Sequence, residues 1–309
     1  MMRRIRHGFT LPELLIALTI GIVVLTAGTN FALRSWQARR SWTVRESVDR
    51  NARFVGLSLS RDAQEAGVAM ESNPIFASLG SFNDTLSVLS VPFNPSEAPV
   101  YPIYDDGDAS PTYPAGGNCG TFCIELNKVS GTYTLQAGDL VRLQVGGTRR
   151  LLYLTNVANQ TATRFRITFL DVNTFLDRDA GLSNLLLTHS GTSVQKLKAV
   201  VYWRNATEKT LQRAESFTLA GQPIGREMAT NVEAFDTSLL FLNNFEHDSY
   251  SGVDADTTND GNKVIGVKIR ARLKTDRTDP AVNGGLPVYR WYEWRVAPRN
   301  LLYEKNRMG

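Results

Sequence analysis

A run of twenty uncharged residues near the N-terminus limits what this chain can fold into. Residues 14–33 carry no charged side chain, and as an α-helix they extend about 30 Å, the thickness of a bilayer's hydrocarbon core. The residue before the run is Glu13. A carboxylate in a membrane-spanning segment is energetically costly and is therefore usually functional. The sequence thus predicts a spanning helix with a functional carboxylate near its start.

A short basic leader precedes this helix. Arg3, Arg4 and Arg6 come before Gly8, and Phe9 opens the apolar segment. This order predicts cleavage after Gly8, so that residues 1–8 are a leader peptide and 9–33 form the spanning helix. Because arginines precede the span and are absent from it, the N-terminus is expected in the cytoplasm and the rest of the chain outside.

Two other targeting signals fit part of this pattern. An ordinary secretory signal would use the small residues 26–28 as its cleavage site, and an uncleaved signal anchor would keep the leader. Glu13 interrupts the apolar region that a secretory signal needs, and the helical pattern continues past Gly28. Both signals are therefore less favoured than cleavage after Gly8.

The segment GFTLPELL, residues 8–15, resembles the class III leader and helix start of type IV pilins and secretion pseudopilins. The resemblance implies that prepilin peptidase cuts after Gly8 and that Phe9 is N-methylated. It also implies that Glu13 pairs with the terminal amine of a neighbouring subunit. Pro12 replaces the aliphatic residue common in major pilins, but proline fits the first helical turn because no backbone N–H is needed there.

The helix is predicted to continue outside the membrane through residues 34–67. Trp36 and Trp42 follow the apolar run beside arginines, as interfacial anchors do, and Gly67 is a plausible stop. Apolar residues then recur every three or four positions and form one stripe of an amphipathic helix. The stripe consists of Val44, Val48, Ala52, Val55, Leu59, Ala63 and Ala66.

Residues 68–309 are predicted to form a β-rich head. Short β-type runs are separated by turn residues, and no helical pattern recurs between them, which favours an antiparallel sheet. The predicted fold class is α+β, a long N-terminal helix packed on an antiparallel β-rich head, as in type IV pilins. Segments 92–117, with six prolines, and 243–262 are predicted surface loops. The runs are 85–91, 122–129, 140–145, 151–157, 165–170, 197–203, 232–242, 264–273 and 288–296.

The chain has two cysteines, Cys119 and Cys123. Outside the inner membrane they are predicted to form a disulfide that closes a small loop. Zinc binding is an alternative, but it needs two further ligands, and His189 and His247 lie in different segments. Free thiols are the third alternative.

An acidic segment partly matches a calcium-binding loop. Asp254, Asp256, Thr258 and Asp260 supply oxygen ligands at alternate positions. At position twelve, counted from Asp256, the loop has Val267 where a bidentate glutamate belongs. A solvated acidic turn is the favoured interpretation, and calcium is a weak candidate. No other cofactor is expected.

Composition and motifs argue against two classes of function. The chain has 34 Lys and Arg against 30 Asp and Glu, and loss of the leader removes three arginines. The mature chain is then nearly neutral, so nucleic acid is not expected as a primary partner. His189 and His247 lie beside no nucleophile motif, and G-x-S-x-G and phosphate-binding glycine loops are missing. We therefore expect no enzyme activity.

Further segments resemble PilW-type minor pilins. They are 51–54, 59–62 and 66–67 at the helix end, 231–235 and 267–273 in the head, and 295–300. The resemblance implies a non-catalytic subunit that helps to initiate or cap a type IV pilus. Other minor and major pilins, the assembly platform and the inner membrane would be its partners. It would sit in the inner membrane with its head in the periplasm, and then in the pilus at the cell surface.

Three alternatives to a PilW-type role stay open. One is a GspJ-type pseudopilin of a type II secretion system, and another is a minor pilin of a DNA-uptake pilus. The third, from a different class, is a membrane-anchored periplasmic enzyme or binding protein with a fortuitous leader. Genes for other prepilins nearby would favour the first two over the third.

We predict that Gly8→Val blocks removal of the leader, because a branched side chain replaces the small residue before the expected cut. Immunoblots should show one slower band, and intact mass should include residues 1–8. Ile5→Val, a matched change within the leader, should be processed normally. Normal migration of the Gly8→Val protein would refute the assignment of the leader.

Overall fold

The structure is a computed structural model. It describes residues 10–70, 73–74, 76–82, 84–94, 96–104, 112–113, 119, 122–146, 148–170, 185–186, 191–252, 255–276, 278–280 and 282–302. The chain divides into two compact units. One unit contains the helical residues up to Arg50 together with Lys274–Tyr289. The other contains Asn51–Leu273 and the residues from Arg290 onward.

One helix, α1, runs from Leu11 to Gln64 without a break. Just beyond its end, Gly67 has a φ of 74°, a left-handed conformation that glycine adopts easily and that often ends helices. The backbone N–H of Gly67 donates to the carbonyl oxygen of Leu89 at 3.0 Å. This bond ties the exit of the helix to a strand of the head.

The two halves of α1 differ in burial. All seven residues of the predicted apolar stripe are buried, with exposures of 7 % or less. In the first half, Leu14, Ile20 and Leu33 are each more than half exposed. By length and composition α1 is able to cross a membrane.

Sixteen strands occur in the described part of the chain, together with three short 3-10 helices at Thr257–Asn259, Gly261–Lys263 and Asn283–Gly285. The strands are β1 (Leu79–Phe82), β2 (Thr85–Ser90), β3 (Val100–Pro102), β4 (Thr112–Tyr113), β5 (Cys123–Asn127), β6 (Leu140–Val145), β7 (Thr148–Asn159), β8 (Arg164–Leu170), β9 (Leu185–Leu186), β10 (Thr192–Asn205), β11 (Thr210–Ala214), β12 (Arg226–Ala229), β13 (Val232–Phe241), β14 (Glu246–His247), β15 (Val264–Lys274) and β16 (Tyr289–Val296).

The strands form two sheets and one short pair. The larger sheet has ten strands in the order β1-β2-β10-β6-β7-β8-β5, with β3 and β11 also paired to β10 and β12 paired to β11. The smaller sheet has the order β14-β13-β15-β16, and β4 pairs with β9. Neighbours in the larger sheet are antiparallel. The predicted α+β fold class is therefore confirmed.

All nine predicted strands are present, as β2, β5, β6, β7, β8, β10, β13, β15 and β16. The strands that the sequence did not reveal have two to five residues each. Such short strands show too little alternation to be recognised, since a period of two needs several residues to become visible. Pairing with longer neighbours stabilises them.

The structure adds short strands to both segments that were predicted as surface loops. The proline-rich segment 92–117 contains β3 and β4, and Tyr101 in β3 is fully buried. Its ring meets that of Phe165 edge-on at 5.0 Å, and its hydroxyl oxygen accepts from the backbone N–H of Thr134 at 2.8 Å. This part of the segment belongs to the core. Segment 243–262 contains β14, Thr257–Asn259 and the start of the next 3-10 helix.

The smaller sheet packs against α1 where the helix carries a glycine. A Cβ atom added to Gly56 would lie 2.2 Å from Nε1 of Trp294 in β16. The indole therefore occupies the space that any larger side chain on this helical turn would need. Trp294 also stacks on Tyr292, with ring centres 6.1 Å apart. Gly56 is thus required by close packing between the helix and the sheet.

We predict that Gly56→Leu lowers the free energy of unfolding by about 2 kcal/mol, because the added side chain displaces the indole and overpacked sites cost about this much. Leucine has a higher helix propensity than glycine. Without the contact between residue 56 and Trp294, the substitution would therefore be expected to raise the free energy of unfolding. Urea unfolding of the detergent-solubilised protein, followed by near-UV circular dichroism, measures the change.

The control is the double variant Gly56→Leu, Trp294→Ala. In this variant the leucine at position 56 occupies the space that the indole leaves. Trp294→Ala should therefore lower the free energy of unfolding less in the Gly56→Leu background than it does in the wild-type protein. A Gly56→Leu protein at least as stable as wild type would contradict the packing at this site.

Candidate functional site

The Glu13 carboxylate lies in the first turn of α1. An oxygen of the Glu13 carboxylate is 3.4 Å from the backbone N of Thr10 and 3.3 Å from its hydroxyl oxygen. A threonine followed three residues later by a glutamate is the capping-box pattern, in which the carboxylate accepts from the N–H of the residue before the helix. Sequence reasoning missed Thr10, although T-x-x-E is visible in the sequence.

Glu13 is exposed in the single chain. Its carboxylate therefore has a local donor but remains open to a cation from another molecule. Gly8 and Phe9 lie outside the described residues, so the processing site stays a prediction. The pairing of Glu13 with another subunit also stays a prediction.

The threonine hydroxyls in the apolar half of α1 are satisfied within the helix. The hydroxyl groups of Thr19, Thr26 and Thr29 donate to backbone carbonyl oxygens one turn earlier, at 2.9, 2.7 and 2.6 Å respectively. Hydrocarbon offers no other partner for such groups. A Cβ atom added to Gly21 or Gly28 would meet nothing within 4 Å. These two sites therefore present bare backbone on an open surface, to which another helix has close access.

A cluster of polar residues joins the last turns of α1 to the larger sheet. We call Ser58, Asp62, Tyr202, Arg213 and Glu215 the junction cluster. Tyr202 in β10 donates from its hydroxyl to Asp62 Oδ2 at 2.5 Å, and Arg213 Nε in β11 donates to the same oxygen at 2.6 Å. Ser58 Oγ lies 3.0 Å from the Tyr202 hydroxyl, and Arg213 also pairs with Glu215.

Burial determines the charges in the junction cluster. Asp62 is only 5 % exposed, and a carboxylate in such a site needs close cations and donors. Burial, reinforced by the hydrogen bond to Asp62, raises the pKa of Tyr202 well above its usual range, so its hydroxyl stays a donor. Burial acts to lower the pKa of Arg213, but its bonds to Asp62 and Glu215 raise that pKa overall, so the guanidinium stays charged.

The outward side of the smaller sheet carries aromatic and charged residues, which we call the outer sheet face. Trp291 is 48 % exposed, and the guanidinium carbon of Arg270 lies 4.8 Å from its ring centre. Arg295 pairs with Glu293 at 3.0 Å and with Glu246 at 3.3 Å. Tryptophan, tyrosine and arginine are enriched in the energetic centres of protein interfaces. This face is a candidate contact surface for another subunit.

Cys119 and Cys123 are joined by a disulfide, with their Cα atoms 5.6 Å apart. The bond closes a five-residue loop at the start of β5. Phe122 inside the loop has a φ of 55°, and its ring meets that of Phe169 edge-on at 6.2 Å. The disulfide therefore holds an aromatic side chain against β8 in a backbone conformation that non-glycine residues rarely adopt.

The candidate calcium segment is only partly described, because Asp254 lies outside the described residues. Asp256 Oδ1 accepts from the backbone N–H of Thr258 at 2.9 Å and from its hydroxyl at 2.6 Å. These two bonds lower the pKa of Asp256. Asp260 is buried. Within the described ranges, no group of three or more His, Cys, Asp or Glu side chains is arranged to hold a metal ion. Calcium binding stays a prediction.

The histidines considered as catalytic or zinc-binding residues are not brought together in what the structure describes. His247 is exposed in β14, and His189 lies outside the described residues. The absence of enzyme activity therefore remains an expectation from the sequence.

Comparison with protein-family models matches residues 3–29 to the prokaryotic N-terminal methylation motif. The match covers the arginines of the leader, the expected cleavage site, Glu13 and most of the apolar run. It supports a type IV pilin-like prepilin family, and the long N-terminal helix followed by an antiparallel β-rich head is a pilin-like architecture. Neither the curated proteins nor the solved structures compared with the chain gave a match.

We predict that Asp62→Ala lowers the free energy of unfolding by about 3 kcal/mol, because the buried Tyr202 hydroxyl and the half-buried Arg213 guanidinium both lose the carboxylate that accepts from them. The matched control is Glu65→Ala, just beyond the end of α1. Glu65 pairs with Lys198 at 2.8 Å, but both side chains are about 40 % exposed, and such pairs contribute at most about 1 kcal/mol. Urea unfolding measures both changes. Equal losses in the two variants would show that the junction cluster has no special role.

Proposed function

We propose that this protein is a non-catalytic subunit of a pilin-like filament, a minor pilin of the PilW type that helps to initiate or cap a type IV pilus. The observation that carries the proposal is the N-terminal methylation motif at residues 3–29, placed on a 54-residue helix whose apolar first half is exposed. An exposed apolar surface of this size has to be covered by lipid or by other helices.

The mechanism is packing. In the inner membrane, lipid covers the first half of α1. In the filament, the helices of other minor and major pilins replace the lipid. The exchange breaks no backbone hydrogen bond, because a helix satisfies its backbone groups internally. The hydroxyl bonds of Thr19, Thr26 and Thr29 are likewise internal and persist through the exchange.

Glu13 sets the stagger between neighbouring subunits. Cleavage after Gly8 by prepilin peptidase creates an ammonium group on Phe9, which is then methylated. In a bundle of helices this cation pairs with the Glu13 carboxylate of an adjacent subunit, and each charge offsets the desolvation cost of the other. The contact between Glu13 and Thr10 occupies the carboxylate until that partner arrives.

The head supplies lateral contacts. Phe54 and Leu57 on α1 are 57 % and 73 % exposed, and they lie one turn apart on the same side of the helix. Together with the outer sheet face they offer apolar and aromatic surface to neighbouring pilins. The junction cluster fixes the last turns of α1 on the larger sheet, so these contacts keep a constant position relative to the helix end.

In this proposal, the orientation of the protein in the membrane follows from cleavage of the leader. Three arginines precede the apolar run, and four follow it at residues 34–45, so a count of positive charges does not by itself place the N-terminus in the cytoplasm. The resemblance of residues 8–15 to class III leaders supports that placement. The head then lies in the periplasm, where the assembly platform raises subunits into the pilus.

The proposed function is tested by deleting the gene and restoring it in trans. Surface filaments in sheared fractions and twitching should be lost and then recovered, whereas type II secretion and DNA uptake should be unchanged in the same strains. Loss of secretion with intact filaments would assign the protein to a secretion pseudopilus. Loss of transformation alone would assign it to a DNA-uptake pilus, and both results would reject the PilW-type role.

We predict that Glu13→Ala leaves leader removal intact but reduces piliation at least about tenfold, because the terminal ammonium loses a partner whose coupling is worth more than about 1.4 kcal/mol. Intact mass of the membrane-extracted protein checks processing, and immunoblots of sheared filaments check assembly. Glu46→Ala, which removes an exposed carboxylate from the same helix, is the control. Wild-type piliation in the Glu13→Ala strain would refute the pairing.

A further inference from the structure

Arginines surround α1 immediately outside its apolar run. We call Arg34, Arg39, Arg40 and Arg45 the arginine collar. All four are exposed, and the sequence has no Asp or Glu between Glu13 and Glu46. Because successive residues turn by about 100°, Arg34, Arg39 and Arg40 point in three different directions around the helix, and Arg45 lies on the same side as Arg34. The collar is therefore a ring of positive charge and not a one-sided patch.

Within the part of the chain that the structure describes, Arg40 is the arginine of the collar that has side-chain partners. Arg40 packs over the Trp36 ring, 3.7 Å from its centre, and its Nε lies 3.7 Å from Asp279. Among the described residues, the side chains of Arg34, Arg39 and Arg45 make no ion pair or hydrogen bond. These three exposed cations lie within twelve residues and are accessible to anionic groups from outside the chain.

The first part of the collar lies at the polar layer of a bilayer. Counted from Leu33 at 1.5 Å per residue, Arg34 lies about 1.5 Å and Arg39 about 9 Å beyond the apolar run. Arg45, at about 18 Å, lies outside that layer but within about one Debye length of it. The headgroup layer on each side of a bilayer is about 5–8 Å thick, and arginine side chains reach several ångströms along the helix. Trp36 and Trp42 are 56 % and 79 % exposed, as aromatic residues at a membrane interface are.

We propose that the arginine collar binds the headgroups of anionic phospholipids in the leaflet that faces the head. An acidic protein would meet only one side of the helix, whereas headgroups surround it, as the collar does. Anionic lipid also explains how four arginines are tolerated on the side to which the chain is translocated, since positive charge near a span otherwise favours the cytoplasmic side. The proposal rests on membrane insertion, but it does not depend on a role in pili.

The test uses the purified mature full-length protein in micelles with equal amounts of phosphatidylglycerol and phosphatidylcholine of identical acyl chains. Native mass spectrometry then counts the lipids that remain bound. An anionic surface attracts each nearby arginine enough for about a fivefold preference. The wild-type protein should therefore retain phosphatidylglycerol over phosphatidylcholine by at least about fivefold.

Two triple variants separate the collar from the general charge of the helix. Arg34→Gln with Arg39→Gln and Arg45→Gln should bring the preference close to one. The control, Arg50→Gln with Arg53→Gln and Arg61→Gln, removes the same charge farther from the span and should keep the wild-type preference. These side chains are exposed, so the fold should persist, and near-UV circular dichroism checks this.

Equal retention of the two lipids by the wild-type protein would overturn the proposal and leave the collar to an acidic protein partner. An undiminished preference in the collar variant would overturn it as well. Neither result bears on filament formation, which is scored by piliation, so the two proposals fail separately.

Discussion

The structure depends on one constraint, an apolar helical surface that is left exposed in the single chain. The first half of α1 is apolar, uncharged after Glu13, and open to its surroundings. Its backbone and its threonine hydroxyls are satisfied within the helix. Lipid tails and other apolar helices are therefore almost equivalent surroundings for it. A helix of this kind moves from a membrane into a protein bundle without refolding.

The second half of α1 differs from the first, because it packs against the head. Its apolar stripe supplies burial, but apolar packing alone permits small rotations and shifts. The junction cluster adds direction, since one carboxylate oxygen of Asp62 accepts from Tyr202 in β10 and from Arg213 in β11. We interpret this buried pairing as a device that selects one arrangement of helix and sheet, a role that buried ion pairs serve in some proteins.

Long hydrophobic patterns in the sequence predicted their helix and strands correctly, whereas the shortest strands could not be predicted. The stripe from Val44 to Ala66 spans six helical turns, and each of the nine predicted strands has enough residues for its β-type character to show. The strands β3 and β4 have three and two residues, and prolines nearby suggested a loop. Tyr101 is part of the core only because Phe165 and Thr134, far away in the sequence, converge on it.

The sequence by itself determined the long apolar N-terminal helix, the position of Glu13 near its start and the β-rich character of the head. These features are local, because they depend on composition and period over neighbouring residues. Only the tertiary structure decided that Gly56 makes room for Trp294, that Asp62 meets Tyr202 and Arg213, and that Arg40 lies beside Asp279. Such contacts join residues that are distant along the chain, and no local pattern encodes which of them meet.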